Sequence, residues 1–215
     1  ARARLTPQEC AVILAECREL ARTRLAAALA AALERADEAL FALADSARDP
    51  EEQGRLLELR SQARARRPAI EAAFGREFLA AWNARVKPGG AAPVADEAAS
   101  CLELVDDEVL EHGLAVKAMA ARLADACEGE LAALTRRIGQ LLGRPELADA
   151  DNPAGAQSLC AALEAAACAS LEGGRGARLA LLRALEPPLS VELRRLCQDL
   201  NVHLVARQVL PEVKP

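Results

Sequence analysis

The chain has 215 residues, of which 52% are hydrophobic and 2% aromatic, with no Tyr. It carries 27 Lys and Arg against 32 Asp and Glu, and this net charge of -5 argues against a general nucleic-acid or anionic-membrane binder. Ala and Leu dominate, whereas the β-branched and aromatic residues that favour strands are scarce. We therefore predict an all-α bundle of about six to eight helices.

Helix-start signals organise the first part of the chain. Thr6–Glu9 is a capping box with Pro at the first helical position, and apolar residues follow at helical spacing toward Ala47. Asp49 and Pro50 repeat the start signal. The second helix extends its apolar stripe to Trp82, and Pro68 predicts a kink within it.

A segment rich in Pro and Gly, residues 88–95, is the best linker candidate. It predicts two helical halves, 1–87 and 96–215. Residues 1–87 hold 15 basic and 13 acidic side chains, whereas residues 88–215 hold 12 and 19, so an anionic partner would meet the first half. Because the chain begins at Ala1 rather than Met, we expect it to be one structural domain of a longer protein.

Two start signals compete after the linker, a capping box at Ser100–Glu103 and a single cap at Asp106. Apolar residues from Val116 to Gly143 then predict one long helix that Gly129 would bend. This helix needs a partner helix for its apolar seam.

The last third of the chain predicts three further helices. Asn152-Pro153 is expected to cap a helix that ends near Leu171, and Gly173–Gly176 forms a turn whose amides would cradle an anion or simply join two helices. A short helix is predicted to end at Pro187-Pro188, and a final helix extends from there to Pro211.

The seven Cys offer no disulfide framework. Cys10 and Cys17, like Cys160 and Cys168, are spaced so that each pair shares one helix face, which is typical of buried free thiols in a reducing compartment. The longest apolar runs, such as Leu25–Leu33, are far shorter than the ~20 residues that cross a bilayer, and no secretory signal is present. We expect a cytoplasmic protein without a membrane segment.

Candidate catalytic residues are few, because the chain has only two His. His203 lies on an apolar stripe with Asp199 one turn back, which favours a core histidine. His112 follows acidic residues within 107–111, but a di-iron bundle needs Glu-x-x-His pairs on two helices. The residue three positions before His112 is Val109, and no other helix supplies such a pair. Motifs for nucleophilic catalysis and phosphate loops are also missing. We predict no catalytic residue, no metal and no cofactor.

Arg60, Arg64 and Arg67 share one helix face at spacings of four and three residues. They would contact a partner's carboxylates or a phosphate, or form a solvated face with salt bridges to Glu58 or Glu71.

Phe74, Phe78 and Trp82 form an aromatic stripe at four-residue steps. Stripes of this kind are usually part of a core, but Phe78 and Trp82 are also candidates for interface anchors.

Several ordered motifs point to one family. They are Ala39–Asp45, Leu102–Glu108, Leu114–Val116, Asn152–Gly155, Leu159-Cys160 and Leu200–Pro211. With them the chain resembles the amino-terminal part of a large bacterial family of unknown function, helical throughout and frequently mislabelled "thymidine phosphorylase". The resemblance implies no established catalytic residues, so we do not expect that enzyme activity.

Some members of this family are similar to proteins with a PilZ-type domain that senses cyclic di-GMP. The chain lacks the Asp-x-Ser-x-x-Gly signature of such a sensor. The resemblance therefore implies that second-messenger binding would belong to a domain outside this chain.

These observations favour a non-enzymatic helical interaction or scaffold module of a cytosolic bacterial regulatory protein. We expect its partner to be another protein or a second copy of the chain, because long apolar seams suit packing better than catalysis. The alternative is a helical domain that binds a small anionic ligand, such as a nucleotide second messenger, through Arg60, Arg64 and Arg67.

Overall fold

A computed structural model describes residues 5–87 and 107–214. These residues form seven α-helices and no strand, which confirms the predicted all-α bundle. The helices are α1 (Pro7–Ser46), α2 (Pro50–Ala65), α3 (Arg67–Val86), α4 (Asp107–Asp125), α5 (Glu128–Leu142), α6 (Ala156–Ser170) and α7 (Gly174–Ala206). A short 3-10 helix, Asp149–Asp151, lies between α5 and α6.

The predicted starts of α1 and α2 are confirmed. Thr6 Oγ1 accepts a hydrogen bond from the Glu9 amide at 3.2 Å, and the Glu9 carboxylate accepts one from the Thr6 amide at 2.7 Å. Asp49 accepts from the Glu51 amide at 3.1 Å, with Pro50 as the first helical residue. These caps satisfy amides that have no partner inside their helices.

The predicted kink at Pro68 is a complete break between α2 and α3. Arg66 separates the two helices with φ -99° and ψ 9°, and Pro68 lies in the first turn of α3. Since proline has no amide hydrogen, it is tolerated best in that first turn, where amides lack partners.

The prediction of one long helix from Val116 to Gly143 is wrong, because the chain turns between α4 and α5. Cys127 has φ -127° and ψ 21°, and its amide donates to the Ala124 carbonyl at 3.0 Å, which closes a tight turn. Gly143 ends α5 as expected, in the left-handed region at φ +67°.

The predicted cap at Asn152 is displaced from the start of α6, which begins at Ala156. Asn152 is fully buried instead. Its side chain accepts from the Ala154 amide at 2.9 Å and donates to Thr135 at 3.0 Å, so it fixes the loop before α6 against α5.

The prediction that a helix ends at Pro187-Pro188 is also wrong, because α7 continues through both prolines. Leu185 and Leu189 are buried on either side of them. The prolines remove two donors from the helix, but the continuous apolar stripe offsets this cost by burial.

A single hydrophobic cluster joins helices from both sides of residues 88–95. The main packing partners are α1 with α7 and α3 with α6, while α4 packs on α6 and α7. The segment 88–95 and the predicted caps at Ser100–Glu103 and Asp106 lie outside the described residues, and the two-half organisation stays a prediction. Within 5–87 and 107–214, no helix combines the length and apolar character that a membrane span needs.

Candidate functional site

The aromatic stripe of α3 lies in the core. Phe74, Phe78 and Trp82 are each at most 2% exposed, and successive ring centroids are 6.1 and 6.0 Å apart. Helix α3 packs against α6, so the stripe is covered by the chain itself. Phe78 and Trp82 are not accessible to a partner in this arrangement, and their burial favours the core interpretation.

Arg60 is engaged by an acidic residue of α1. Its guanidinium donates two hydrogen bonds to the Asp37 carboxylate, at 3.0 and 2.8 Å, and lies 4.9 Å from the centre of the Phe41 ring. The hydrogen bond from Arg60, together with its charge and that of Arg64, holds the pKa of Asp37 below its usual value.

Arg67 is also paired inside the chain. It donates to Glu71 at 2.9 Å, as the spacing predicts, and to Glu34 and the Ala30 carbonyl of α1. Arg64 is exposed beside these pairs. The arginine face therefore meets carboxylates of α1 and α3, which neutralise most of its charge.

His203 has a different partner from the one that its spacing suggests. Its Nε2 lies 3.1 Å from Glu16 of α1, which also pairs with Arg207. Asp199, the expected partner, binds Arg24 at 2.8 Å instead. These contacts link α7 to α1. His203 is therefore a half-buried histidine whose Nε2 has a hydrogen-bond partner.

Three buried cysteines, Cys17, Cys160 and Cys197, are unreactive by environment, whereas a hydrogen bond with Cys197 lowers the pKa of the Cys127 thiol. Burial raises the pKa of the Cys17 and Cys160 thiols to about 12, and contact with Cys127 together with burial raises that of Cys197. A thiol with so high a pKa carries almost no thiolate near neutral pH. All six cysteines in the described ranges are free, and Cys168 is exposed although it was expected to share the buried face of Cys160.

His112 occupies the floor of a cleft between α2, α4 and the start of α7. The residue is 7% exposed, and its Nε2 lies 2.8 Å from Glu164 of α6. Its other nitrogen, Nδ1, is buried without a hydrogen-bond partner. In the described part of the chain, no three His, Cys, Asp or Glu side chains are grouped as metal ligands.

The cleft has a volume of about 1050 Å³ and walls of mixed charge. Its α2 wall carries Glu51, Glu52, Arg55 and Glu58. The opposite wall is formed by the glycine-rich turn 172–176 and the first turns of α7.

The outer face of α4 exposes two leucines one helical turn apart. Leu110 is 54% and Leu114 56% exposed, while the opposite face of the helix, with Met119 and Leu123, is buried. Sequence reasoning followed the buried stripe and missed this second one. Leu110 and Leu114 are four residues apart and lie out of register with the buried stripe. This spacing in the sequence indicates a second apolar face.

Comparison with known proteins identifies the family but no function. No curated protein and no solved structure matches the chain. The family described as protein of unknown function (DUF1631), N-terminal domain, matches residues 9–208 and confirms the resemblance to a helical family of unknown function. The chain belongs to this DUF1631 N-terminal domain family.

Proposed function

We propose that this chain is a non-enzymatic helical module that associates with a second copy of itself through the outer face of α4. The observation that carries the proposal is the exposure of Leu110 and Leu114 on that face. Large apolar side chains left open at helical spacing are typical of surfaces that pair with another helix.

The outer face of α4 is sterically complementary to itself. It runs from large side chains, Leu110 and Leu114, to small exposed ones, Ala118 and Ala121. If two copies pair antiparallel about a two-fold axis at Leu114, Leu110 of each copy lies opposite Ala118 of the other. A parallel pair would place Ala118 opposite Ala118 and Ala121 opposite Ala121, which leaves that end of the interface less well filled than in the antiparallel pair. The sequence of the face therefore favours the antiparallel dimer.

We expect the dimer to be weak, because this face is short. Stable protein interfaces bury about 1,200 Å² or more in total, and two leucines on one helix supply only part of that area. A monomer–dimer equilibrium should thus appear in the micromolar to millimolar range rather than as a permanent dimer.

Sedimentation equilibrium with a matched pair of variants tests this proposal. Leu114→Glu places a charge in the face and should convert the protein to a monomer at concentrations where the wild type dimerises. Val202→Glu introduces the same charge at a 70% exposed position of α7 and should leave the equilibrium unchanged. A wild type that stays monomeric at millimolar concentration, or equal effects of the two variants, would contradict the proposal.

Anion binding by Arg60, Arg64 and Arg67 is the weaker alternative, because Asp37, Glu34 and Glu71 already pair with two of the three arginines. Replacing all three arginines with Glu separates the two functions. We expect self-association to survive this change. A regulatory role in the cytosol and a link to a cyclic di-GMP-sensing domain stay predictions of the family resemblance.

A further inference from the structure

Two buried thiols from distant parts of the chain lie in contact. Cys127 is at the turn between α4 and α5, Cys197 lies on α7, and both are at most 1% exposed. Their side chains are hydrogen-bond partners. A separate contact fixes the same register, since Asn201 of α7 donates to the Glu130 carbonyl of α5 at 2.9 Å. These two residues follow the cysteines by about one helical turn, so the neighbouring turns place the thiols side by side.

The two thiols have different chemical roles. The Cys127 thiol donates to the Leu123 carbonyl at 3.1 Å, so the hydrogen between the two sulfurs comes from Cys197. This hydrogen bond lowers the pKa of the Cys127 thiol, whereas the same bond and burial raise the pKa of Cys197. Cys127 also directly precedes α5, where helix amides favour a thiolate. Cys127 is therefore the first nucleophile of the pair.

The turn at Cys127 gives a small reagent a route to the sulfur. The amide of Cys127 closes the turn by donating to the Ala124 carbonyl at 3.0 Å, and the adjoining residues Asp125, Glu128 and Gly129 are exposed. Helix ends open locally at a lower free energy than the interior of a core. Local opening of this turn exposes Cys127 while the rest of the bundle stays folded.

We propose that Cys127 and Cys197 are a redox pair that hydrogen peroxide converts to a disulfide between the α4–α5 turn and α7. The Cys127 sulfur first attacks a peroxide oxygen, the O–O bond breaks, and Cys127 sulfenic acid and water form. The Cys197 sulfur then attacks the Cys127 sulfur. The S–O bond breaks, the S–S bond forms, and hydroxide leaves with the Cys197 proton as a second water. The two thiols lose two electrons and the peroxide gains them.

Oxidation of Cys127 also prepares Cys197 for the second step. The hydrogen bond with the Cys127 thiol is the main cause of the high pKa of Cys197. Once Cys127 carries an oxygen, that bond is lost and the Cys197 thiol gives up its proton more readily. A small thiol such as dithiothreitol would reduce the disulfide again by exchange. The pair is separate from the outer face of α4 and from the arginine face of α2 and α3.

Timed oxidation with hydrogen peroxide tests the pair against other buried thiols of the same chain. The background carries Ser in place of Cys10, Cys101 and Cys168. Two thiols buried to a similar extent remain as internal controls, Cys17 and Cys160. Peptide mass spectrometry should show the disulfide between Cys127 and Cys197 forming at least about tenfold faster than either control is oxidised. Dithiothreitol should reverse it, and the oxidised protein should have a Tm about 5–10 °C higher.

Two single variants separate the roles of the thiols, with circular dichroism as the check that each is folded. Cys197→Ser keeps a hydrogen-bond donor but cannot form the disulfide, so Cys127 should stop at the sulfenic acid, which dimedone traps after denaturation. Cys127→Ser should leave Cys197 as slow to oxidise as Cys17 and Cys160. Oxidation of the pair no faster than the two controls, or fast oxidation of Cys197 in Cys127→Ser, would overturn the proposal.

Discussion

Trp82 is the clearest case of a residue whose role is decided by its neighbours. It is 2% exposed and ends a row of three rings that lies under α6. Large aromatic side chains bury more apolar area than other residues and dominate the energetics of small cores. The same side chain on an uncovered helix would have served as an interface anchor.

Replacing Trp82 with Ala should lower the free energy of unfolding by about 3–5 kcal/mol, since it removes a large buried ring and leaves a cavity. Urea denaturation followed by circular dichroism measures the change. Val202→Ala, at a highly exposed position, should alter stability by less than about 0.5 kcal/mol. A comparable loss in both variants would show that Trp82 is not a core residue.

Partners one helical turn away were predictable only in part, since Asp199 pairs with Arg24 and not with His203, and distant partners were not predictable. Arg67 pairs with Glu71 one turn away, as helical geometry requires. By contrast, Arg60 pairs with Asp37 of another helix, and His112 pairs with Glu164, 52 residues away. No spacing rule connects these positions, because they meet only when whole helices pack. The cleft around His112 could not be found from the sequence for the same reason.

At the scale of helices, local sequence signals predicted helix ends correctly where no tertiary packing opposes them. The Thr6 box, the Asp49 cap and Gly143 each mark an observed helix end. The errors lie where packing outweighs local preference. Pro187 and Pro188 stay inside α7 because buried leucines continue on both sides. The chain turns at Cys127, two residues before Gly129, where the sequence predicted only a bend in one continuous helix.

Two glycines should respond in opposite directions to the same substitution. Gly143→Ala forces a side chain into the left-handed region at φ +67° and should destabilise the protein by about 1 kcal/mol. Gly75 lies within α3 with open space around it, so Gly75→Ala should stabilise by about 0.5–1 kcal/mol. Thermal unfolding of both variants checks this, and a shift of the same sign in both would contradict the assigned backbone.

The antiparallel pairing of α4 predicts a pattern among size-swapped variants. Leu110→Ala alone should leave a gap, and Ala118→Leu alone should crowd Leu110 of the other copy, so each weakens the dimer. The double variant restores a large residue opposite a small one and should regain affinity. Sedimentation equilibrium measures all three, and a double variant weaker than either single one would exclude the antiparallel register.

At the scale of the whole molecule, the described residues on both sides of 88–95 share one hydrophobic cluster. Such a core favours a single cooperative unfolding transition. Fluorescence of the single Trp reports on α3, and circular dichroism reports on all helices. We expect the two signals to change at the same urea concentration. Separate midpoints would instead support two halves, 1–87 and 96–215, that unfold independently.

The fold class was predictable from composition and periodicity because every helix repeats the same apolar spacing. Function was not predictable in this way, because neither His forms a sequence motif. The candidate surfaces, in turn, depend on which helix faces other helices cover. Leu110 and Leu114 are functional candidates only because α6 and α7 pack on the other side of α4.

Crosslinking at the predicted two-fold axis tests the central claim, self-association through α4, most directly. In a background with Cys10, Cys101 and Cys168 changed to Ser, Leu114→Cys brings two thiols together across the axis, whereas Val202→Cys does not. A short bifunctional maleimide should convert the Leu114→Cys protein to a covalent dimer and leave the Val202→Cys protein monomeric. No covalent dimer from Leu114→Cys, or equal yields from both positions, would contradict the claim.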